Sequence, residues 1–232
     1  MEDWISKLYS DPEMFGMGHL ERAEDLNLGL GWLYYALARI GRPSRAVVIG
    51  SYRGFAPMII AKAIQDNLEP GNLTFIDPSM ADPFWRDPAE VTRHFTSHGI
   101  YNIEHHLCTT EEFAETSAYR ELENIGLLMI DGYHDVAHAR LDFETFEPKL
   151  GPSALVLFHD SVRPFASTIY DREAPYVHDV HEYMRELRKR EDLDMIDLPF
   201  GAGITLVRKR EHPNHPAYFP SLGKSPIPFE VP

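Results

Sequence analysis

Four short apolar runs are spaced along this chain, and each one ends at a glycine or a polar residue. The runs are AVVI at 46–49, LTFI at 73–76, IGLLMI at 125–130 and ALVLF at 154–158. Segments with a helix-like spacing of apolar residues lie between them. Strands that are apolar on both faces and alternate with helices are typical of a parallel sheet covered by helices on both sides. The sequence therefore predicts an α/β fold.

The rest of the chain supplies the remaining elements of this fold. We expect a weaker strand at 103–107, late strands at 195–198 and 203–207, and an irregular stretch over 161–174. Helices are predicted over 19–40, 56–68, 88–98, 134–146 and 176–190. We interpret the chain as a single domain over 1–232, with an N-terminal helical cap at 1–43, a core at 44–210 and an extended, proline-rich tail at 211–232.

Charge and cysteine content narrow the class of partner. A formal net charge of −14 opposes binding to phosphate backbones and anionic membranes, so we expect a small-molecule partner, no nucleic acid and no membrane. The single cysteine, Cys108, excludes an internal disulfide, and no signal peptide or membrane span is evident, which predicts a cytoplasmic location. The cap, the irregular stretch and the tail are expected to form either the acceptor pocket or a subunit interface, which leaves a homo-oligomer open.

The polar residues that follow the strands should lie close together. In an open parallel sheet, ligands bind beyond the carboxyl ends of the strands, where the strand order reverses. The groups at those ends are Gly50 to Gly54, Asp77, Asp131 to His134, and His159 with Asp160. The sequence thus predicts one crevice lined by these groups.

The first two strand ends favour an adenosine-bearing cofactor. Gly50 and Gly54 allow a sharp turn and let backbone amides approach a ligand at a helix start. Asp77 is placed to accept hydrogen bonds from a ribose diol, although a plain glycine turn with a helix cap would use the same residues. A dinucleotide site would be expected to show G-x-G-x-x-G, which the loop GSYRGFA lacks. S-adenosylmethionine (SAM) therefore fits better than NAD.

Several segments resemble class I SAM-dependent methyltransferases, and more narrowly a group of metabolite O-methyltransferases that includes macrolide-sugar enzymes. They are VVIGSYRGFAP, FIDPS, LLMIDGYHDVAHARLDFETFEPKLGPSALVLFHD and GAGITLVRK, and they extend from about Val47 to Arg208. The resemblance implies a Rossmann-like, seven-stranded, mostly parallel sheet whose last strand is antiparallel. The chain departs from the family at Val48, where an acid usually anchors the methionine part of the cofactor, and at Ala56-Pro57, where Ser-Thr is usual.

This resemblance completes the predicted cofactor site. Thr109 or Thr110, at the end of the 103–107 strand, is expected to reach the adenine. The predicted cofactor-binding residues are Gly50, Ser51, Tyr52, Gly54, Asp77, Ser79, Thr109, Asp131, Gly132 and Tyr133.

Methyl transfer to a hydroxyl also requires removal of the hydroxyl proton. Asp131, His159 and Asp160 are donors of the kind that hold Mg²⁺, Mn²⁺ or Ca²⁺, and such an ion would lower the pKa of the hydroxyl. In the related group the histidine of D-G-x-H, here His134, acts as the general base, and the metal-binding pair is Glu-Asp where this chain has His-Asp. The alternatives left open are that Asp131 only contacts the cofactor, that His159 packs on the sheet edge while Asp160 caps a turn, and that His134 hydrogen-bonds locally.

One further histidine group resembles a metal motif. His178, His181 and Glu182 lack the histidine spacing of H-E-x-x-H, and we interpret them as a solvated helix face.

The sequence therefore predicts an O-methyltransferase that acts on a small metabolite, with a sugar hydroxyl of a natural product, and hence antibiotic biosynthesis, as one candidate acceptor. Two rivals stay open. One is an NAD-dependent sugar-modifying enzyme, against which the missing G-x-G-x-x-G argues. The other is a catalytically inert protein that keeps the nucleoside pocket.

Overall fold

The computed structural model describes residues 1–16, 18–168 and 176–210. The predicted tail at 211–232 and residues 169–174 of the predicted irregular stretch lie outside the described residues. The helices are α1 (Glu2–Leu8), α2 (Gly31–Gly41), α3 (Phe55–Gln65), α4 (Pro88–Ser97), α5 (Thr110–Ala114), α6 (Ser117–Glu121), α7 (Val136–Phe146) and α8 (Val180–Leu187). The strands are β1 (Arg45–Ile49), β2 (Asn72–Ile76), β3 (Ile103–His106), β4 (Ile125–Ile130), β5 (Leu150–His159), β6 (Phe165–Ser167), β7 (Tyr176–His178), β8 (Leu193–Leu198) and β9 (Ile204–Lys209).

The main sheet has seven strands in the order β3-β2-β1-β4-β5-β9-β8. Strands β1 to β5 are parallel, and β9 pairs antiparallel with both β5 and β8. The predicted sheet and its antiparallel last strand are therefore confirmed. Because β1 lies between β2 and β4, the strand order reverses beside β1, and a crevice is expected at the carboxyl ends of β1 and β4.

Two apolar clusters cover the faces of this sheet. Alternate side chains of a strand point to opposite faces, so Val48 packs into the cluster that contains α2 and α3, while Val47 and Ile49 join the cluster that contains α7 and α8. Val48 is fully buried. The position where the resembling family carries an acid is thus part of the apolar core in this chain.

The region around 161–190 differs from the prediction. β6 lies in the predicted irregular stretch at 161–174 and β7 at the start of the predicted helix at 176–190, and the two pair as an antiparallel sheet. The helix α8 begins at Val180 rather than at residue 176. Phe165 pairs with His178 across this sheet, and their rings stack with centroids 3.9 Å apart. His178 is buried in a strand, so its interpretation as part of a solvated helix face is wrong. Strand pairing and ring packing here outweigh the helical periodicity.

The N-terminal cap contains less helix than the sequence predicts. Of the expected helix at 19–40, only α2 is formed, preceded by a 3-10 turn at Ala23–Asp25. Leu26 and Gly29 have positive φ angles of 56° each, and a left-handed backbone cannot continue a right-handed helix. Across the described ranges, no helix is both long and apolar enough to cross a membrane.

Candidate active site

A large cleft opens at the carboxyl ends of the parallel strands. Its volume is about 1330 Å³, above the roughly 300–1,000 Å³ of typical small-molecule sites. Most of the predicted site residues line it, namely Gly50, Ser51, Tyr52, Asp77, Thr109, Asp131, Gly132, Tyr133, His134, His159 and Asp160, whereas Gly54 and Ser79 do not. The cleft is large enough for a nucleoside cofactor and a second small molecule.

Close backbone packing requires glycine at both ends of the segment Gly50 to Gly54, which we call the glycine loop. Gly50 has a φ of +73°, and a Cβ atom there would lie 2.4 Å from the Cα of Gly132 and 2.5 Å from the carbonyl oxygen of Asp131. At Gly54, φ is +85° and a Cβ would lie 2.9 Å from the Trp85 ring. Positive φ and the lack of space both require glycine. The loop therefore presses against the end of β4 and brings the two strand ends together.

We expect Gly50→Ala to lower the free energy of unfolding by on the order of 3 kcal/mol, because it combines a left-handed backbone with overpacking against β4. Urea denaturation followed by circular dichroism measures the change. Gly41→Ala is the matched control, since a Cβ at Gly41 meets nothing within 4 Å. That variant should be as stable as the wild type or slightly more stable. Equal stability of wild type and Gly50→Ala would contradict the packing argument.

Asp77 joins the glycine loop to the segment after β2. The backbone N–H of Ser51 donates to Asp77 Oδ2 over 3.0 Å, and the N–H of Ser79 donates to Oδ1 over 2.7 Å. Burial raises the pKa of Asp77 and the two N–H donors oppose that shift. Each carboxylate oxygen can accept a second hydrogen bond, so the acid keeps acceptor capacity toward the cleft. Ser79 itself has a left-handed φ of 59° and acts through Asp77 rather than from the cleft wall.

Two other predicted cofactor residues have local partners. Tyr52 is exposed, and the Arg53 guanidinium lies 3.9 Å from its ring centroid. Thr109 caps α5, because its hydroxyl accepts the backbone N–H of Glu112. The Thr109 hydroxyl is therefore already engaged, which weakens the expectation that it binds the adenine through its side chain.

Asp142 is a buried carboxyl in the cleft wall that the sequence did not indicate. It lies within the predicted helix at 134–146, is only 4% exposed and accepts a hydrogen bond from the Thr110 hydroxyl. A Cβ at Gly132 would lie 3.6 Å from Asp142 Oδ2. Burial raises the pKa of Asp142 to about 7, although Thr110 opposes the shift.

Asp142→Asn should remove a pH dependence of stability. Between pH 3.8 and about 7, the folded protein keeps a proton on Asp142 that the unfolded chain has released, so wild-type stability falls as pH rises. The variant lacks this loss, so its advantage over wild type should grow with pH to about 4 kcal/mol near pH 7. Urea denaturation at several pH values tests this, with Glu123→Gln, at an exposed position between α6 and β4, as control. Parallel stability curves for wild type and Asp142→Asn would contradict a buried neutral carboxyl.

Six titratable side chains meet where β4 and β5 end. They are His19, His134, His159, His178, Asp131 and Asp160, which we call the His–Asp cluster. Asp131 follows β4, His159 is the last residue of β5, and His134 precedes α7, whose N-cap is Asp135. The strand ends thus bring together the four cluster members that the sequence predicted.

Asp131 faces three imidazoles. Its Oδ1 lies 2.8 Å from Nδ1 of His159 and 3.9 Å from Nε2 of His134, and its Oδ2 lies 3.7 Å from Nε2 of His19. The side chain of Asp131 is only 7% exposed. A buried carboxylate is therefore surrounded by proton-binding nitrogen atoms.

Asp160 faces the other side of the cluster. Its Oδ2 lies 3.8 Å from Nδ1 of His134 and 3.7 Å from Nδ1 of His178, and its Oδ1 lies 3.4 Å from Nδ1 of His159. Asp160 has a left-handed φ of 51°, which is uncommon outside glycine and marks a constrained position. His134 consequently lies between two carboxylates.

The cluster divides into charged and neutral groups. Burial opposes ionisation of Asp131, but His159 and His19 lower its pKa to about 2. Burial favours neutral His159, but Asp131 outweighs it and raises the pKa of His159 to about 9. Burial lowers the pKa of His134 to about 4 and that of His19 to about 3. At neutral pH, His134 and His19 are therefore neutral and can accept a proton or bind a cation.

The sequence did not indicate that His19 and His178 belong to the site. His19 is the first residue of the helix predicted over 19–40, and His178 lies near the start of the helix predicted over 176–190. The other four members of the cluster were predictable from the motifs D-x-x-H and H-D, which follow two predicted strands. A histidine next to Gly18 in the segment before α2 offered no comparable signal.

Comparison with known proteins was consistent with this geometry. A protein-family model described as a methyltransferase domain matches residues 47–161, which span β1 through the end of β5. The chain belongs to this methyltransferase family. The resemblance to class I methyltransferases is thereby confirmed, and the matched segment contains every predicted site residue.

One curated relative is 28% identical over 133 residues, the "Uncharacterized protein y4gI" of Sinorhizobium fredii. The alignment covers 56% of this chain and 14% of the relative, so this chain spans only a small part of that protein's length.

Solved structures with the same fold include two methyltransferases. A methyltransferase from Geobacter sulfurreducens is 21% identical, with a TM-score of 0.61 over 91% of this chain and 90% of that one. The O-methyltransferase TomG from Streptomyces achromogenes, solved in complex with SAM, is 17% identical, with a TM-score of 0.61 over 91% of both chains. These likenesses establish the fold.

Proposed function

We propose that the chain is a SAM-dependent O-methyltransferase that acts on a hydroxyl of a small metabolite. The observation that carries this proposal is the position of neutral His134 beside Asp131, in the same cleft as the glycine loop and Asp77. The family match, and a fold neighbour that is an O-methyltransferase in complex with SAM, support it.

The residues of the glycine loop fit SAM. This cofactor supplies an electrophilic methyl group when bound. The loop brings the start of α3 to the cleft, and Asp77 keeps acceptor capacity for a ribose diol. Val48 cannot anchor the methionine end, since its side chain is buried in the core. That end is therefore expected to contact backbone groups of the loop.

His134 is the proposed general base. Its low pKa keeps the imidazole neutral but also makes it a weak base, so the acceptor hydroxyl must be acidified before its proton can move. A divalent cation held by Asp131, His159 and Asp160 would provide this acidification. The donors fit a cation, because both carboxylates face the cluster and Nδ1 of His159 lies 2.8 Å from Asp131 and 3.4 Å from Asp160. A cation bound there would replace the proton of His159.

The finer assignments extend this proposal. A sugar hydroxyl of a natural product is the acceptor class that the sequence resemblance favours, and the cytoplasmic location and the homo-oligomer stay predictions. Arg163 and Phe165 also line the cleft, and we propose them as acceptor contacts.

Calorimetric titration of the full chain with SAM, S-adenosylhomocysteine and NAD tests the cofactor. We expect both sulfur nucleosides to bind and NAD to show no comparable heat. Tight NAD binding without a response to either sulfur nucleoside would overturn the proposal. Methyl transfer from radiolabelled SAM to a panel of catechols, flavonoids and glycosides then identifies an acceptor, and addition of EDTA during turnover tests the cation.

A further inference from the structure

His19, Asp131 and His159 form a compact, buried triad within the His–Asp cluster. Their ligand atoms lie within 4.8 Å of one another, and all three residues are buried. They come from separate parts of the chain, namely the segment before α2, the end of β4 and the end of β5. Donor atoms that share an ion at about 2.0–2.2 Å lie roughly 3 to 3.5 Å apart. The 2.8 Å and 3.7 Å separations between the two histidines and Asp131 bracket that range.

The ring of His19 is held in the orientation of a metal ligand. Its Nδ1 lies 3.0 Å from the hydroxyl of Tyr34, while its Nε2 faces Asp131. Tyr34 is fully buried. Histidine ligands usually hydrogen-bond through one ring nitrogen and bind the ion through the other. If Nδ1–H donates to Tyr34, the lone pair of Nε2 points toward Asp131.

His159 supplies a second, independent observation. Its Nδ1 is buried and lacks a hydrogen-bond partner within the described part of the chain, even though Asp131 Oδ1 lies only 2.8 Å away. The two atoms are in contact without the alignment of an N–H···O bond. At neutral pH the ring is protonated and pairs with Asp131, so an ion would bind here by replacing the imidazole proton between the same two atoms.

We propose that His19, Asp131 and His159 bind a borderline transition-metal ion such as Zn²⁺, Fe²⁺ or Co²⁺, with His19 contributed by the N-terminal cap. Two imidazoles and one carboxylate make a nitrogen-rich donor set, whereas Mg²⁺ and Ca²⁺ prefer oxygen ligands. The inference rests on the proposed function for the role of the ion beside the acceptor. It changes the expected ion from Mg²⁺, Mn²⁺ or Ca²⁺ and adds a ligand from the N-terminal cap.

Titration of the full chain with Co²⁺ after removal of metals by chelation tests the inference, since ligand-field absorption reports nitrogen and oxygen ligation directly. We expect saturation at one equivalent, displacement by Zn²⁺, and no displacement by millimolar Mg²⁺ or Ca²⁺. His19→Gln should weaken Co²⁺ binding at least about tenfold and reduce the absorption. Tyr34→Phe keeps the aromatic ring but removes the hydroxyl that contacts Nδ1 of His19. It should therefore also weaken Co²⁺ binding.

His181→Gln is the matched control, because His181 pairs with Glu182 outside the His–Asp cluster. It should leave Co²⁺ affinity unchanged. His178→Gln tests the other side of the cluster, since His178 faces Asp160 rather than Asp131. Displacement of Co²⁺ by Mg²⁺ would overturn the inference, as would wild-type affinity in both His19→Gln and Tyr34→Phe, or a loss confined to His178→Gln. Titration of the same samples with S-adenosylhomocysteine separates the two proposals. Nucleoside binding without Co²⁺ binding would contradict the metal inference alone. Co²⁺ binding without nucleoside binding would contradict the proposed function.

Discussion

Asp131→Asn should reduce methyl transfer by about 1,000-fold, which corresponds to roughly 4 kcal/mol of lost transition-state stabilisation. The amide keeps the size of the side chain but removes a carboxylate that faces three imidazoles of the cluster. Without that charge, His159 loses the partner that contributes most to raising its pKa. A divalent cation bound as proposed would also lose an anionic ligand.

The effect is measured as kcat/KM with radiolabelled SAM and the best acceptor from the panel. Asp192→Asn is the control, since Asp192 is an exposed carboxylate that pairs with Arg190 and is not among the residues that line the cleft. Binding of S-adenosylhomocysteine should persist in Asp131→Asn, which would show that the fold is intact. A loss smaller than tenfold would mean that Asp131 only lines the cofactor pocket, which is the alternative left open by the sequence.

The central strands were predictable because burial on both faces leaves a simple signature. β1, β2 and β4 lie between other strands and under helices, so their sequences are continuous apolar runs that turns or polar residues end. β3 is at the sheet edge with partly exposed residues, and its signal was correspondingly weak. The number of strands and the antiparallel last strand came from the resemblance rather than from residue periodicity.

The spacing of apolar residues did not predict the conformation or burial of residues whose positions depend on tertiary contacts. Tyr176 and His178 continue a helical spacing, yet strand pairing with Phe165 and Ser167 makes them a strand. Asp142 falls among charged residues of α7, but the helix buries that position against Thr110. In both cases the deciding partners lie at least nine residues away, beyond the third and fourth neighbours that a helical pattern compares.

The candidate site divides in the same way. Asp131, His134, His159 and Asp160 could be predicted because parallel strands end at a common edge. His19 depends on how the segment before α2 folds over that edge, where its ring stacks on Phe55 with centroids 5.1 Å apart. Packing of the N-terminal cap therefore sets the position of His19, and His19 adds one more imidazole nitrogen to the cluster.

His134→Gln should lower kcat by about 100- to 1,000-fold while the affinity for S-adenosylhomocysteine stays within about twofold of wild type, because loss of a general base typically costs 10² to 10⁴. Glutamine fills similar space and can hydrogen-bond, but it cannot take up a proton. The pH profile adds a second readout. With a pKa of about 4, the base is already deprotonated at neutral pH, so the wild-type rate should not depend on its titration between pH 6 and 8.

His181→Gln tests whether any histidine in this region has the same effect, and it should retain wild-type kcat. His181 lies in α8 and pairs with Glu182, outside the residues that line the cleft. A His134→Gln protein with wild-type kcat would assign His134 to local hydrogen bonding only. In that outcome, Asp160 would be the next candidate base, because burial raises its pKa to about 6 and its Oδ2 faces the same space. The rate of methyl transfer would then rise with pH around the pKa of Asp160, and a mechanism with His134 as the base does not predict such a rise.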